Sequence, residues 1–112
     1  GGSVRGSLFE EVAALEAGAH NQGQVAHMPA VRVSPSGANG RVSIEVSAPG
    51  DIDNIWVKDD TTGDVIGARA FGAKEPRAAL TLLAERGQRL VPLVHSKADG
   101  VWEGAAFTAI LD

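Results

Sequence analysis

The 112 residues predict a mainly β fold, an immunoglobulin-like antiparallel β-sandwich of about seven strands with one N-terminal helix. Two observations favour this fold. From residue 23 onward, apolar and polar residues alternate in short segments, which is the period of a half-buried strand. The chain also contains 14 glycines, and its apolar residues are rich in Val and Ala, which suits tight turns between short strands better than a helical bundle.

A single helix is predicted over Ser7–Gly18. Ser7 and Glu10 have the spacing of a capping box, in which each side chain accepts the backbone N–H of the other residue. The apolar stripe of the helix consists of Leu8, Val12 and Leu15. A helix this short needs a surface on which to dock. His20 is expected to cap its C-terminal end, where a cationic ring is favoured.

The predicted strands are, in chain order, Val31–Val33, Arg41–Ala48, Asn54–Lys58, Val65–Phe71, Ala78–Ala84, Leu90–His95 and Val101–Leu111. Turn-forming residues at Gly37–Gly40 and at Asp59–Asp64 predict two hairpins. The composition of Ala78–Ala84 also allows a helix, but the flanking proline and glycine favour a strand. Pro92 has no backbone N–H, so an edge strand or a bulge is expected there.

Charge and residue types exclude several classes of function. The formal net charge of −4 gives no electrostatic reason to bind nucleic acid or an anionic membrane, and the apolar runs are too short to span a bilayer. The absence of cysteine excludes a disulfide framework, a thiolate metal site and a cysteine nucleophile. We expect one domain over residues 7–112, preceded by a disordered tail or cloning remnant over residues 1–6.

Two segments resemble the iron domain of superoxide reductases, the desulfoferrodoxin and neelaredoxin family. The segment His27–Val31 is similar to the His-Val-Pro-Val-Ile segment that opens this domain. The segment His95–Glu103 is similar to the family's Tyr-Cys-Asn-x-His-Gly-Leu-Trp-Glu loop. The order of strands between them also fits, so the resemblance covers about residues 24–107 and implies the family's β-sandwich.

The resemblance also implies where the family's iron ligands would stand. The family binds iron(II) with four histidines in a plane and one axial cysteine thiolate. Of these ligands the resemblance leaves only His27, because Ser96 stands at the cysteine position and Asp99 at that of the last histidine. The middle histidines are replaced by the segment Ala48–Asp53. A serine hydroxyl is no soft electron donor and one imidazole does not hold ferrous iron, so superoxide reductase activity is not expected.

A second resemblance is to the sulfur-carrying Y subunit of the Sox thiosulfate-oxidation system, whose immunoglobulin-like domain also follows an N-terminal helix. The segments Arg77–Leu83, Leu90–Val94 and Asp99–Trp102 are similar to its last strands. That carrier works through a cysteine on a glycine-rich C-terminal tail. The resemblance therefore implies a sulfur-carrier relative without its cysteine arm, since the 112 residues contain no cysteine.

A rebuilt metal site is a further alternative. If the superoxide reductase geometry holds, His27, Asp53 and Asp99 point towards one pocket, with His95 near them. Imidazoles and carboxylates of this kind would hold zinc or another divalent ion weakly. The competing interpretation makes both histidines surface residues at strand ends and both aspartates turn formers.

Two other groups of polar residues are interpreted structurally. The spacing of Asp59, Asp60 and Asp64 matches no calcium loop, which favours a solvated turn. A nucleophile–base pair of Ser96 with His95 is disfavoured, because adjacent residues of a strand face opposite sides of the sheet.

The two tryptophans, Trp56 and Trp102, are the candidates for a partner surface. Trp56 alternates with Ile55 and Val57, so one of two expectations is an exposed indole that contacts another protein. Packing of Trp56 under the N-terminal helix is left open. Trp102 is expected to pack in the sandwich or to cover the pocket towards which His27, Asp53 and Asp99 would point.

The sequence thus predicts a superoxide reductase-like sandwich that has lost the iron centre and acts as a non-catalytic accessory or binding domain. No cofactor is expected beyond a weakly held divalent metal. A protein partner is expected, without nucleic acid and without a membrane span, and self-association is left open. A periplasmic location is implied by the resemblance, because the resembling families often work there.

Overall fold

A computed structural model describes residues 29–48, 52–72, 78–96 and 100–111, and the backbone of residues 20–22. These residues form an antiparallel β-sandwich, which confirms the predicted fold class. The predicted helix Ser7–Gly18 lies outside them. The described part of the chain contains strands and turns but no helix, and hence no helix suited to crossing a membrane.

Nine strands are present among the described residues: β1 His20–Gln22, β2 Ala30–Pro35, β3 Arg41–Ala48, β4 Ile52–Asp59, β5 Val65–Ala70, β6 Ala78–Glu85, β7 Arg89–Ser96, β8 Gly100–Glu103 and β9 Phe107–Thr108. The first six predicted strands correspond to β2–β7, and the last one is divided into β8 and β9. His20, which is expected to cap the predicted helix, begins β1, and the helix itself lies outside the described residues.

The strands form two sheets of unequal size. The larger sheet has the order β1-β8-β7-β4-β5, and β9 also pairs with β7. The smaller sheet has the order β2-β3-β6. All of these pairs are antiparallel except β1 with β8. In the first predicted hairpin, Gly37 and Gly40 have φ angles of 79° and 72°, which favour glycine over residues with a side chain.

The core lies between the inner faces of the two sheets, as the period-two pattern requires. β3 is the clearest example, since Val42, Ile44 and Val46 are buried while the residues between them are more exposed. The larger sheet contributes residues from β4, β5, β7, β8 and β9, chiefly Ile55, Val57, Ile66, Leu90, Val94, Trp102 and Phe107. Each fully buried aliphatic side chain of this kind stabilises the fold by about 1.5–3 kcal/mol, so this layer supplies most of the stability.

Pro92 lies in the central strand β7, so the prediction of an edge strand at this position is wrong. The irregularity expected there is nevertheless present on one side. β8 pairs with β7 only as far as Leu93, and β9 resumes the pairing at Leu90. The Pro92 carbonyl faces this gap and accepts the N–H of Gly104 at 2.9 Å. The missing N–H therefore falls where no strand pairs with β7.

Gly104, which follows the second segment of the family resemblance, packs closely against two prolines. A Cβ at this position would lie 2.8 Å from Cγ of Pro29 and 2.9 Å from Cγ of Pro92. Pro29 belongs to the segment His27–Val31, and Gly104 directly follows Glu103. The two segments thus meet at a glycine that packs between two proline rings.

Replacement of Gly104 by alanine is expected to lower the free energy of unfolding by about 1–3 kcal/mol, because neither ring can move without shifting the backbone. Gly72→Ala is the matched control, since a Cβ there meets no heavy atom within 4 Å. The control should change stability by less than about 0.5 kcal/mol. Urea unfolding of both variants makes the comparison, and equal stability of the two would contradict the packing described here.

Candidate functional site

Two of the four predicted ligands, Asp53 and His95, lie together at one end of the sandwich. Asp53 is the second residue of β4, and His95 is the next-to-last residue of β7. β8 begins beside them, where Gly100 pairs with Ser96. His27 and Asp99 lie outside the described residues, so the four-residue ligand set stays a prediction.

A bulge in β4 brings Asp53 to His95. Ile52 is paired with Ser96 and Asn54 with His95, which leaves Asp53 as an extra residue in β4. A β-bulge of this kind leaves one residue outside the ladder and changes the direction of its side chain. The Asp53 carbonyl still accepts the N–H of Phe71 at 2.9 Å, which ties the bulge to the chain after β5.

The side chains of Asp53 and His95 form a hydrogen-bonded pair. Oδ1 of Asp53 lies 2.5 Å from Nδ1 of His95, and the two side chains are 22% and 20% exposed. With the side-chain amide of Asn54 turned so that its nitrogen faces acceptors, that nitrogen would donate to the same Oδ1 at 3.2 Å. An ionised carboxylate only accepts hydrogen bonds, so Nδ1 carries the ring proton. Nε2 is therefore the atom through which a neutral His95 can accept a proton or bind a cation.

The distance within this pair is that of a hydrogen bond and is shorter than the separation of two ligands on one metal ion. Bonds of about 2.0–2.2 Å at a tetrahedral angle place a nitrogen and an oxygen ligand about 3.4 Å apart. Asp53 instead has the position of a carboxylate that orients a histidine through its second nitrogen, as is common at metal-binding histidines. Among the described residues, no three His, Cys, Asp or Glu side chains gather into a metal-binding group.

Ser96 faces the opposite side of the sheet from His95, as the alternation of a strand requires. It is 1% exposed, and its hydroxyl has no hydrogen-bond partner among the described residues. Burial of such a group without a partner costs about 1–3 kcal/mol. Because of its direction, Ser96 does not form a nucleophile–base pair with His95.

The predicted partner surface is not exposed. Trp56 is 0% exposed and Trp102 is 5% exposed, so the expectation of an exposed Trp56 is wrong. Trp56 packs with Val91, Leu93 and Val101 in a second apolar cluster, on the outer face of the larger sheet. Trp102 belongs to the main core. The alternation correctly separated Trp56 from the inner face, but the outer face at this point is buried as well.

His20 lies in register with His95 across the larger sheet, a placement that the sequence did not predict. His20 is paired with Val101, and Val101 is paired on its other side with His95. No local signal in the sequence reports this alignment, because β1 and β8 are parallel strands that no tight turn connects.

The aspartates at the far end of the sandwich form a turn, as predicted. Oδ1 of Asp59 accepts the N–H groups of Thr61 and Thr62 at 2.7 and 3.0 Å, and Oδ2 accepts the side-chain amide of Gln88 at 2.9 Å. These hydrogen bonds, the one from Gln88 above all, lower the pKa of Asp59. Both carboxylate oxygens face N–H donors, which is the environment of a turn rather than of a calcium ion.

No protein-family model matches the chain, and no curated protein sequence matches it. Its structure is similar to a superoxide reductase (neelaredoxin) from Ignicoccus hospitalis, with a TM-score of 0.57, 18% identity, and coverage of 83% of this chain and 94% of that one. It is also similar to the sulfur carrier protein SoxY from Chlorobium limicola f thiosulfatophilum, with a TM-score of 0.54, 14% identity, and coverage of 96% and 99%. A hypothetical protein from Pyrococcus horikoshii has a TM-score of 0.58 and 21% identity, with coverage of 80% and 94%.

These similarities define the class to which the structure belongs, a superoxide reductase-like and SoxY-like β-sandwich. They confirm the resemblance that the sequence suggested. At identities of 21% or below they establish the fold alone, because one fold supports many functions.

The neutral ring of His95 is expected to carry its proton on Nδ1, since Asp53 accepts there. Asp53→Ala removes the acceptor and should move the proton to Nε2 in a large share of molecules. Long-range proton–nitrogen correlation spectra distinguish the two tautomers, with His95→Gln for assignment. Asp64→Ala, in an exposed turn, is the control and should leave the tautomer unchanged. A wild-type His95 protonated on Nε2 would contradict the pair.

Stability is expected to depend on the charge of Asp59. The lowered pKa of this carboxyl means that its contribution is present above the ordinary pKa and is lost as the pH falls through the folded value. The difference in urea midpoint between wild type and Asp59→Asn should therefore shrink as the pH falls below about 4. Gln88→Ala should reproduce part of this pH dependence, because Gln88 makes the largest contribution to the lowered pKa. A difference that stays constant across this range would refute the role of the charge.

Proposed function

We propose that this chain is a superoxide reductase-like sandwich that has lost the iron centre and acts as a non-catalytic accessory or binding domain. We place it in the periplasm, where the families it resembles often work. The fold supports the first part of this proposal, and the chemistry of the residues at the end of the sandwich supports the second.

The observation that carries the proposal is the number of histidines and cysteines in the 112 residues. The 112 residues contain three histidines and no cysteine, whereas the family's centre takes four histidines and a thiolate. The alignment covers 94% of the matched neelaredoxin, which supports comparing the two proteins over nearly the whole of that chain. Even with all three histidines in place, the centre would lack one imidazole and the thiolate.

The described residues at the expected position also suit a packed strand end better than an iron centre. The Ser96 hydroxyl is buried on the opposite side of the sheet from His95. It is a hard, neutral group and does not replace a soft thiolate. These residues do not fit the iron(II) of the family.

Two alternatives have a specific observation in their favour. The orientation of His95 by Asp53 is the arrangement found behind metal-binding histidines, which supports a rebuilt divalent-metal site completed by His27 and Asp99. The SoxY structure matches almost the whole of both chains, which supports a sulfur-carrier relative. That relative would lack the cysteine arm, because sulfur carriage needs a thiol and these residues contain none.

Iron binding and superoxide chemistry test the leading proposal. After anaerobic incubation with iron(II), the purified chain is expected to retain no stoichiometric iron and to show no absorption band from a thiolate–iron bond. Superoxide should disappear no faster than in buffer. The neelaredoxin from Ignicoccus hospitalis, treated in parallel, is the positive control. One bound iron per chain together with catalysed reduction of superoxide would overturn the proposal.

A zinc titration separates the leading proposal from the rebuilt metal site. If the leading proposal holds, zinc binds weakly, and His95→Ala and the control Asp64→Ala have the same effect on its affinity. If the site is rebuilt, His95→Ala abolishes zinc binding and Asp64→Ala preserves it. Asp53→Ala then weakens zinc binding by about 10–100-fold, because the orienting carboxylate is lost. The second pattern would replace the binding-domain proposal with a metal protein.

A further inference from the structure

The second apolar cluster is buried although it lies on the outer face of the larger sheet. It consists of Trp56, Val91, Leu93 and Val101, none of which is more than 5% exposed. The smaller sheet does not cover these residues, because it packs against the inner face, where Ile55 belongs to the main core. The cover of the second cluster therefore comes from another part of the chain.

The described neighbours of Trp56 do not account for its burial. Within the sheet the indole stands between Leu93 on one side and Ala68 on the other, which share its face as directly paired residues. The single methyl group of Ala68 is too small to shield an indole. Val65 belongs to β5 as well, and Ala106 lies in the link from β8 to β9, which runs alongside β7. These residues surround the ring at the level of the sheet, so its complete burial requires a segment that lies on the sheet.

The covering segment can be identified by elimination. One copy of the chain already buries Trp56 completely, so the segment belongs to this chain. Outside the described residues, the stretches 49–51, 73–77 and 97–99 contain no apolar side chain other than alanine and proline. The stretch 23–28 connects β1 of the larger sheet to β2 of the smaller sheet, which leads it away from the outer face. The remaining long stretch is residues 1–19.

We propose that the predicted helix Ser7–Gly18 packs across the outer face of the larger sheet and covers the second cluster with its stripe of Leu8, Val12 and Leu15. A helix this short persists only when its apolar side is buried, and the cluster supplies the apolar surface. The face that the sequence offers to another protein through Trp56 is then occupied by the chain itself. The inference does not depend on the proposed function, since the polar pair at the end of the sandwich takes no part in it.

The helix starts from the right edge of the sheet and is long enough for this contact. Its last residue, Gly18, stands two positions before His20, which pairs with Val101. Twelve residues of helix measure about 18 Å. Neighbouring strands are about 4.8 Å apart, so β4 lies about 14 Å from β1 in the order β1-β8-β7-β4. A helix that ends beside β1 therefore reaches Trp56 when its axis crosses β8 and β7.

The spacing of the stripe also matches that of the cluster. Leu8 and Leu15 are about 10 Å apart along the helix axis. Val101 of β8 and Trp56 of β4 lie two strands apart, which is also about 10 Å across the sheet. Because the helix ends beside β1, Leu15 falls over Val101 and Leu8 falls over Trp56, with Val12 over β7 between them.

Nuclear Overhauser effects in the 112-residue chain test the contact without any change to the helix. The indole protons of Trp56 should show effects to methyl groups of the helix stripe, with the strongest to Leu8. Trp102→Phe assigns the two indoles. Effects from Trp56 to no residue of the range 7–18 would overturn the proposal. Effects to Val25 or Met28 in their place would overturn it as well and would identify the stretch 23–28 as the cover.

A charge placed on the stripe gives a second measurement. Val12→Asp puts a carboxylate against the cluster, whereas Ala13→Asp turns the same group about 100° around the helix and is the matched control. In a Trp102→Phe background, Trp56 is the single tryptophan. Val12→Asp should shift its emission to longer wavelength and raise its quenching constant with acrylamide severalfold, with the circular dichroism of the sheets retained. Ala13→Asp should leave both unchanged, and equal quenching constants for the two variants would refute the packing of the stripe on Trp56.

Discussion

Strand β7 is buried on both of its faces, and the other elements are arranged around that constraint. Its inward residues, such as Leu90 and Val94, belong to the main core, and its outward residues, such as Val91 and Leu93, belong to the second cluster. A strand of this kind needs apolar cover above and below and pairing partners on both sides, because a buried peptide group without a partner is costly. β4, β8 and β9 supply the partners. Pro92 is tolerated because its missing N–H coincides with the gap between β8 and β9.

The same strand explains why the end of the sandwich is polar. The last two residues of β7 continue its alternation, so Ser96 faces inward and His95 outward. The inward hydroxyl meets no partner among the described residues, whereas the outward imidazole meets Asp53. A single bulge in β4 produces that meeting. The polar pair is thus a consequence of how two adjacent strands end, and among the described residues it presents one oriented imidazole.

Whether a superoxide reductase-like sandwich binds iron depends on its ligands and not on the similarity of its backbone. The sandwich is similar to that of neelaredoxin, and the segments that carry the resemblance meet where Pro29 packs against Gly104. A scaffold of this kind can persist while its metal ligands change, because the core and the site draw on different residues. The core uses the inward apolar positions of the strands, whereas the iron ligands of the family would stand at strand ends and loops. A change of such ligands would therefore cost a fold of this kind little.

The sequence by itself determined strands β2–β7, because the alternation of residues such as Val42, Ile44 and Val46 is a local property that survives without any tertiary information. It also determined the limits of the chemistry, since a chain without cysteine supplies no thiolate. The tertiary structure alone decided that Trp56 is buried, because alternation shows which residues share a face and not whether that face is covered. It also decided that Asp53 pairs with Nδ1 of His95, a contact between residues 42 positions apart that depends on one bulge in the register of two strands.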